Sequence, residues 1–449
     1  MRYFPLTNTD REEMKKEIGI NDVKELFSDI PKEKSYFSLK NFPPMLHENE
    51  LIRDFKKYGE KNTFSNFSSF LGGGAYDHFI PETVKYLSSR GEFLTPYTPY
   101  QPEVSQGSLQ AMFEYQTMIS MLTGLDISNS SLYDGGTAAA EGVLLAARKT
   151  RKKRIAIASN IHPEYLEIIK TYVQNIDIEI DIVEHDISTG TINPEKLDSI
   201  LTEEHGGILF QSPNFFGVIE DSEKISGIIH KYKGYSIQAV SEAFSLPFIS
   251  SPGSNGVDIA VGEAQSFGLP LSFGGPFLGF IVAKKELVRQ MPGRLVGQTV
   301  DSEGKRGYVL TLSTREQHIK REKATSNICS NQAWCALRAS IYLTLLGESG
   351  LKDISKSNHL NTTYFVNKVS DFSNVEVKYK RNFFNEIVLE IKNMDSELFL
   401  SELKKKNILA GIPLKWFFEE YKNSILVNFT ELHTREQIDN FIKSVGELQ

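Results

Sequence analysis

A turn of two glycines and a threonine constrains the fold of this chain more than any other feature. Residues 132–134 (Leu-Tyr-Asp) lead into Gly135, Gly136 and Thr137, and an alanine- and leucine-rich stretch follows over 138–148. This pattern predicts strand, tight turn and helix. Such glycines let the backbone approach a ligand closely, and the helix start offers free N–H groups and the positive end of its dipole to an anion. The same turn also suits a plain βα connection that needs glycine only for packing.

Strands and helices alternate in the sequence after residue 154. Short β-rich runs predict strands and periodic apolar stretches predict helices, with strands at 155–159, 178–183, 207–211, 234–240 and 257–261 and helices at 163–173, 194–204 and 222–232. Such alternation is typical of an α/β fold with a mostly parallel sheet and helices on both faces. Ligands of such folds lie beyond the carboxyl ends of the strands.

The rest of the chain divides around this alternating region. Charged segments predict an N-terminal arm over residues 1–65, and the alternating region predicts a large α/β domain over 66–310. After residue 310 a long helix precedes strands separated by further helices, which predicts a smaller C-terminal α+β domain over 311–449.

Composition narrows the class of function. The chain has 449 residues, with 50 basic and 57 acidic side chains and a net charge of −7. This balance argues against nucleic acid as the main partner, because phosphate binding depends largely on positive charge. No stretch reaches the ~18 uninterrupted apolar residues of a transmembrane helix, so we expect no membrane partner. Cys329 and Cys335 fit neither a disulfide framework nor a CxxC motif, which favours a cytoplasmic protein with plain buried thiols.

Two further segments are candidates for a site. Three consecutive glycines at 72–74 mark backbone that turns sharply or runs closely against another group, and His78 follows them. His78 has no companions at metal-ligand spacing, so we expect a structural histidine and no metal site. Three prolines stiffen the segment 95–103 and hold Tyr97 and Tyr100 in place. That segment suits a pre-positioned site as well as a packed surface loop.

A large α/β domain with a Gly-Gly-Thr turn, a histidine at the next strand end and a small C-terminal domain resembles the fold-type I enzymes that use pyridoxal phosphate. Five segments narrow this resemblance: FLGGGAYDHFIP (70–81), TPYTPYQPEVSQGSLQ (95–110), YDGGTAAAEG (133–142), NGVDIAVGEAQSFGLPLSFGGPFLGF (255–280) and STREQHIKREKATSNICSNQA (313–333). Together they resemble the P-protein of the glycine cleavage system, in particular its N-terminal-half subunit. The resemblance implies decarboxylation of glycine and transfer of its aminomethyl group to the lipoyl arm of the H-protein.

The implied chemistry needs a lysine, whose amine forms the covalent bond with the cofactor aldehyde. In the catalytic half of the family the corresponding stretch carries His-Lys, with a proline five residues beyond the lysine. Here the residue five before Pro270 is Gln265, which cannot form that bond. Fold-type I sites also pair an acid with the pyridine nitrogen, and Glu242 stands at that strand end with a side chain that is long for the role. The next lysines, Lys284 and Lys285, leave a displaced covalent role open.

These departures predict that a lysine-bearing partner subunit holds the pyridoxal phosphate covalently, and that this chain supplies groups to the partner's site. Tyr97 and Tyr100 are candidates to reach the partner's substrate pocket. Thr325 and Asn327 resemble residues of loops that contact a neighbour's phosphate. Arg315 is equally suited to that loop or to a solvated helix face.

Within this chain itself, the resemblance implies a vestigial cofactor cleft. Gly135, Gly136 and Thr137 would form its phosphate end, His162 would take the ring-stacking place, and Gln265 would stand at the lysine position. Two alternatives to an individually inactive subunit stay open. One is an independent pyridoxal-phosphate decarboxylase that uses another lysine, and the other is a regulatory or H-protein-docking module.

Overall fold

The chain divides into two compact units, Met1–Ser65 and Asn66–Gln449. The computed structural model describes residues 6–30, 42–95, 98–99, 101–328, 332–380 and 382–448. Within these ranges no helix is both long and apolar enough to cross a membrane. The boundary predicted near residue 310 lies inside the second unit and stays a prediction.

The first unit is built of short helical elements. Helix α1 (Asn8–Ile18) begins after the N-cap Thr7 and ends at the left-handed Gly19. A 3-10 turn (Val23–Phe27) and helix α2 (Glu48–Glu60) follow it. None of the residues in these three elements is buried.

The second unit carries the remaining helices that the structure describes. In chain order they are α3 (Glu82–Ser88), α4 (Gly91–Leu94), α5 (Gln106–Thr123), α6 (Gly135–Thr150), α7 (Pro163–Val173), α8 (Pro194–Ile200), α9 (Ser222–Lys231), α10 (Gln317–Lys320), α11 (Ala333–Val369), α12 (Ser396–Lys405) and α13 (Arg435–Gly446). Helix α11 is interrupted at Gly347, where φ is 60° and ψ is −174°. A glycine adopts this backbone conformation without a Cβ clash.

The strands of the described residues all lie in the second unit. They are β1 (Ser68–Ser69), β2 (Ile127–Ser128), β3 (Arg154–Ala158), β4 (Glu179–Val183), β5 (His205–Gln211), β6 (Tyr235–Val240), β7 (Ile259–Glu263), β8 (Gly279–Ala283), β9 (Leu295–Val300), β10 (Arg306–Thr311), β11 (Val375–Val377), β12 (Glu386–Ile391), β13 (Ile408–Leu409), β14 (Ile412–Pro413) and β15 (Ser424–Asn428).

The main sheet has the strand order β2-β8-β7-β6-β5-β3-β4. Strands β3 to β7 run parallel to their neighbours among themselves, whereas β8 is antiparallel to both β7 and β2. The prediction of an α/β fold with a mostly parallel sheet is confirmed. The parallel strands all end at one edge of the sheet, which therefore collects the loops that follow them.

Apolar side chains cover this sheet on both faces. Ala139 and Ile169, from α6 and α7, pack with the strand residue Ile157 in one core. Tyr115 of α5 and Ala339 of α11 belong to a second core that covers the other face. The glycine- and alanine-rich face of α6 lets the helix lie close to the strands, since a Cβ on Gly142 would come within 2.9 Å of Val261.

The C-terminal part of the second unit has its own sheet and core. Strands β11-β12-β15-β14 form a four-stranded antiparallel sheet. Phe365, Phe429 and Phe441 pack together in the core beneath it. A separate hairpin of β9 and β10 follows the main sheet, in a region where the sequence patterns predicted no strands.

Candidate functional site

The carboxyl edge of the main sheet brings the predicted cleft residues together. His162 follows β3, Glu242 follows β6, and Glu263 is the last residue of β7. Gln265 comes two residues later, and Gly135 opens α6 beside them. We refer to the space that these residues surround as the cleft.

A buried glutamate lies against the first turn of α6. Glu263 Oε2 accepts a hydrogen bond from the Gly135 N–H at 2.9 Å. Its other oxygen, Oε1, accepts from the N–H groups of Leu278 at 2.7 Å and Gln265 at 3.0 Å. Burial outweighs these hydrogen bonds and raises the pKa of Glu263 to about 7. The positive end of the α6 dipole therefore already faces a carboxyl group of the chain itself.

The other polar groups of the turn serve the helix cap. Thr137 N–H donates to Asp134 Oδ1 at 2.7 Å, and the Thr137 hydroxyl oxygen accepts from the Asp134 N–H at 3.2 Å. These bonds form a capping box, which satisfies N–H groups that a helix start leaves free. Space beside the turn is also filled, because a Cβ on Gly135 would lie 2.1 Å from Tyr165 Oη and one on Gly136 would lie 2.4 Å from Ile168.

Gln265, at the predicted lysine position, is buried and fully engaged in hydrogen bonds. Its Oε1 accepts from the Tyr76 N–H at 3.1 Å, and its Nε2 donates to Leu269 O at 2.6 Å. The triple-glycine segment also borders the cleft, because Gly73 O accepts a 2.7 Å hydrogen bond from His162 Nε2. Backbone from Gly73 to Tyr76 thus spans the distance between the ring-stacking position and the lysine position.

His162 is a neutral, packed histidine. Its Nδ1 accepts from the Glu164 N–H at 3.2 Å while Nε2 donates to Gly73, which fixes the tautomer. The ring stacks on Tyr165 with centroids 4.8 Å apart, and Phe215 meets it edge-on at 5.1 Å. Burial lowers the pKa of His162. One face of the His162 ring, on which a cofactor ring could stack, is therefore covered by Tyr165.

Glu242, at the position of the expected acid, belongs to a buried ionic triad. His78 Nε2 lies 3.1 Å from Glu242 Oε2, and His78 Nδ1 lies 2.8 Å from Glu431 Oε2. Burial alone would lower the pKa of His78, but the two carboxylates raise it to about 10. The second oxygen of Glu242 accepts from the Phe244 N–H at 2.9 Å. The His78 ring is thus held by two carboxylates, and no group of three or more potential metal ligands occurs among the described residues.

A second buried carboxyl group, that of Glu386, binds the glycine-rich segment beside the cleft. Glu386 Oε1 accepts from the Gly73 N–H at 2.7 Å, and Glu386 Oε2 accepts from Tyr76 Oη at 2.7 Å. Burial raises the pKa of Glu386 to about 7. Glycine is required beside it, because a Cβ on Gly72 would lie 2.3 Å from Glu386 Oε1.

Lys284 and Lys285 lie at the opposite edge of the sheet. Because β8 is antiparallel to β7, Ala283 pairs with Ile259 at the beginning of β7, away from the strand's carboxyl end. The Lys284 ammonium lies 2.5 Å from Asp258, the residue before β7. The displaced covalent role considered for these two lysines is therefore wrong on position alone.

The segment predicted to reach a neighbouring subunit is anchored by Arg315. This guanidinium is buried and donates to the carbonyl oxygens of Met291 and Gly293, which rules out a solvated helix face for it. Thr325 N–H donates to Arg315 O at 3.1 Å and holds the loop in place. Thr325 is half-buried and Asn327 is exposed. Their predicted contact with a neighbour's phosphate stays a prediction.

Tyr97 and Tyr100 lie outside the described residues, so their role also stays a prediction. Cys329 lies outside them as well. Cys335 is a free, buried thiol whose pKa burial raises to about 11, in keeping with a packing role.

The cleft does not fit pyridoxal phosphate. No amine stands at position 265, Glu242 is committed to His78, and the Gly135 N–H that would meet a phosphate is committed to Glu263. A phosphate placed there would lie against the carboxyl groups of Glu263 and Asp134 and would meet like charge in a buried setting.

Comparisons with known proteins settle the family. The model of the glycine cleavage system P-protein family matches residues 1–445. The chain belongs to this family. Among P-protein relatives, a probable glycine dehydrogenase (decarboxylating) subunit 1 of Koribacter versatilis is 45% identical over 448 residues and covers 100% of both chains. Another, of Bacillus licheniformis, is 45% identical over 447 residues and covers 99% of both.

Solved structures agree with this membership. A crystal structure of glycine decarboxylase (P-protein) of the glycine cleavage system, in inhibitor-bound form, matches with a TM-score of 0.90 and 37% identity over 100% of both chains. A Lactobacillus brevis glutamate decarboxylase matches with a TM-score of 0.69 and 14% identity over 93% of this chain and 96% of that one, which shows the shared fold alone. The P-protein chain described here thus has the fold-type I architecture that the resemblance implied.

Sequence reasoning missed the residues that fill the cleft of this P-protein chain, namely Glu263, Tyr165, Tyr76 and Glu386. A usable signal existed for Glu263, which ends an apolar strand two residues before Gln265. An ionisable side chain at the end of a fully buried parallel strand is a candidate for a pKa shifted by burial.

Proposed function

We propose that this chain is subunit 1 of a glycine dehydrogenase (decarboxylating), and that a second, lysine-bearing subunit holds the pyridoxal phosphate. The pair decarboxylates glycine and transfers the aminomethyl group to the lipoyl arm of the H-protein. One observation carries the division of labour: Gln265 stands where the covalent lysine is needed, and its amide is used by Tyr76 and Leu269. The cytoplasm is the proposed compartment.

A solitary decarboxylase is disfavoured by position and by packing. Lys284 lies at the far edge of the sheet, and the carboxyl edge carries acids that are already paired or capped. A purely regulatory module is disfavoured by the relatives, which are named subunits of the enzyme and match over nearly the whole chain.

The first prediction concerns activity of the separate and mixed subunits. We expect the isolated chain to release no labelled CO2 from carboxyl-labelled glycine, because it has no amine to bind the cofactor covalently. The lysine-bearing subunit alone should be equally inactive, and mixing the two should restore turnover. Borohydride reduction of the complex, followed by mass spectrometry, should place the cofactor on the partner polypeptide.

Each contrary result points to a different reading. A reduced cofactor on any lysine of this chain would contradict the division of labour. Full activity of the lysine-bearing subunit alone would instead assign this chain a regulatory role.

The second prediction concerns the loop held by Arg315. Thr325→Ala should weaken retention of cofactor by the assembled complex about tenfold, the order expected for one lost hydrogen bond to a charged group. The measurement is the cofactor remaining per complex after dialysis, compared at equal assembly. Lys320→Ala is the matched control, because Lys320 is an exposed residue of α10 in the same segment. Equal retention by both variants and the wild type would remove Thr325 from the partner's site.

A further inference from the structure

The cleft contains a buried carboxyl group, that of Glu263, which no helix cap requires. Asp134 already caps α6 through the Thr137 N–H, so the start of the helix has its side-chain cap. Glu263 comes from the other side of the cleft, at the end of β7, and reaches the Gly135 N–H across 128 positions of sequence. The carboxyl groups of Asp134 and Glu263 therefore meet at the start of α6. Glu263 is 3% exposed.

The carboxyl group of Glu263 accepts the hydrogen bonds that a bound anion would accept. Three backbone N–H groups, from Gly135, Leu278 and Gln265, converge on the two oxygens of Glu263. Backbone N–H groups that converge on oxygen at a helix start are the usual way in which proteins hold phosphate. Here the oxygens belong to a side chain, and Tyr165 fills the space beside them, with its hydroxyl 2.1 Å from the position of a Cβ on Gly135.

We propose that Glu263 is a built-in substitute for the cofactor phosphate, which occupies the anion position of this chain and keeps phosphorylated ligands out of its cleft. The neighbouring carboxylate of Asp134 reinforces the exclusion. This inference concerns the chain's own residues and holds whether or not the complex has the proposed activity.

The experiment uses the full chain without its partner and measures binding by equilibrium dialysis. The probes are inorganic phosphate and pyridoxamine 5′-phosphate, which has no aldehyde and so cannot react with surface lysines. The wild type should bind neither probe saturably. Glu263→Ala and Glu263→Ser remove the carboxylate and open the N–H groups, and we expect each to bind both probes at least about tenfold more tightly than the wild type. Pyridoxamine without phosphate should gain nothing.

Glu164→Ala is the matched control. Glu164 is an exposed carboxylate in the first turn of α7, two residues after His162. The control should bind as weakly as the wild type. Thermal unfolding identifies which variants are folded, and the serine variant keeps a hydrogen-bond acceptor if the alanine variant is too unstable.

Three results would overturn the proposal. They are saturable binding of either probe by the wild type, no gain in a folded Glu263 variant, and an equal gain in Glu164→Ala. The wild-type measurement decides by itself if neither Glu263 variant folds. Inactivity of the mixed complex would count against the proposed function alone, because dialysis reads binding by this chain.

Discussion

Replacing His78 with alanine is expected to lower the free energy of unfolding by about 3–5 kcal/mol, the range for breaking a buried ion pair by removing one partner. The imidazolium lies between Glu242 and Glu431, and its side chain is 1% exposed. Its loss leaves two carboxylates without their cation, and the Glu242 side chain is only 3% exposed. The triad also joins three stretches that are distant in sequence. Its loss should therefore weaken the packing of the main sheet against the C-terminal sheet.

The His78 contribution should depend on pH with a definite sign. Its pKa is raised from 6.5 to about 10 in the folded protein, because the two carboxylates outweigh the effect of burial. The folded state therefore binds the proton more tightly than the unfolded state. The stabilisation is complete below pH 6.5 and is lost as pH rises through about 10. The difference in stability between wild type and His78→Ala should shrink across that window.

Thermal unfolding at several pH values provides the measurement. At neutral pH we expect the melting temperature of His78→Ala to fall by about 5 °C or more. His318→Ala is the control, because His318 is 60% exposed and lies 3.8 Å from Glu316 at the surface. An exposed pair of this kind contributes about 0–1 kcal/mol. Equal melting temperatures for the two variants, or a difference that does not change with pH, would contradict the ionic triad.

The sequence predicted the α/β architecture because its signals are local. Helix α7 occupies Pro163–Val173, the range predicted, since proline opens it after His162 and an apolar stripe runs through it. The central strands were found because each is a short apolar run bounded by polar residues. Helix α8 ends at Ile200 instead of 204, because Thr202 N–H turns back to His205 Nδ1 at 3.0 Å.

The hairpin of β9 and β10 was missed for a related reason. Its strands mix glycine, glutamine and threonine with apolar residues, and the outer part of β9 is exposed. Such runs give no clear alternation, and their pairing is fixed by contacts such as that of Gln116 with the backbone of Val296 at 2.9 Å. Cross-strand and tertiary contacts of this kind are not written in a local pattern.

The candidate site, like the fold, could be predicted only in part. The sequence shows directly that no lysine stands at position 265. The sequence marked Glu263 as an ionisable group at the end of an apolar strand, but not the tertiary contacts through which it fills the cleft. Glu263 is buried among groups distant in sequence, such as the N–H groups of Gly135 and Leu278. Arg315 shows the same limit, because its burial depends on carbonyl groups of Met291 and Gly293.

Gly217→Ala should be among the most destabilising single substitutions at the joint between the two sheets. Gly217 has a φ of +78°, and an added Cβ would lie 2.1 Å from the backbone oxygen of Glu386. A non-glycine residue in the left-handed region costs roughly 1–2 kcal/mol, and forcing extra volume into packed structure costs about 1–3 kcal/mol more. We therefore expect a loss of about 2–5 kcal/mol in the free energy of unfolding.

The matched control for this substitution is Gly227→Ala. Gly227 lies on the exposed face of α9, and nothing lies within 4 Å of the position of its Cβ. Alanine there should stabilise the protein by about 0.5–1 kcal/mol, because glycine is the poorer helix former. Melting temperatures of the two variants should thus move in opposite directions. A Gly217→Ala protein that melts within about 2 °C of the wild type would contradict the close approach of this turn to β12.

A shift of Glu386 should also disturb its hydrogen bonds to Gly73 and Tyr76. The backbone from Gly73 to Tyr76 should therefore exchange its amide hydrogens faster in Gly217→Ala than in the wild type.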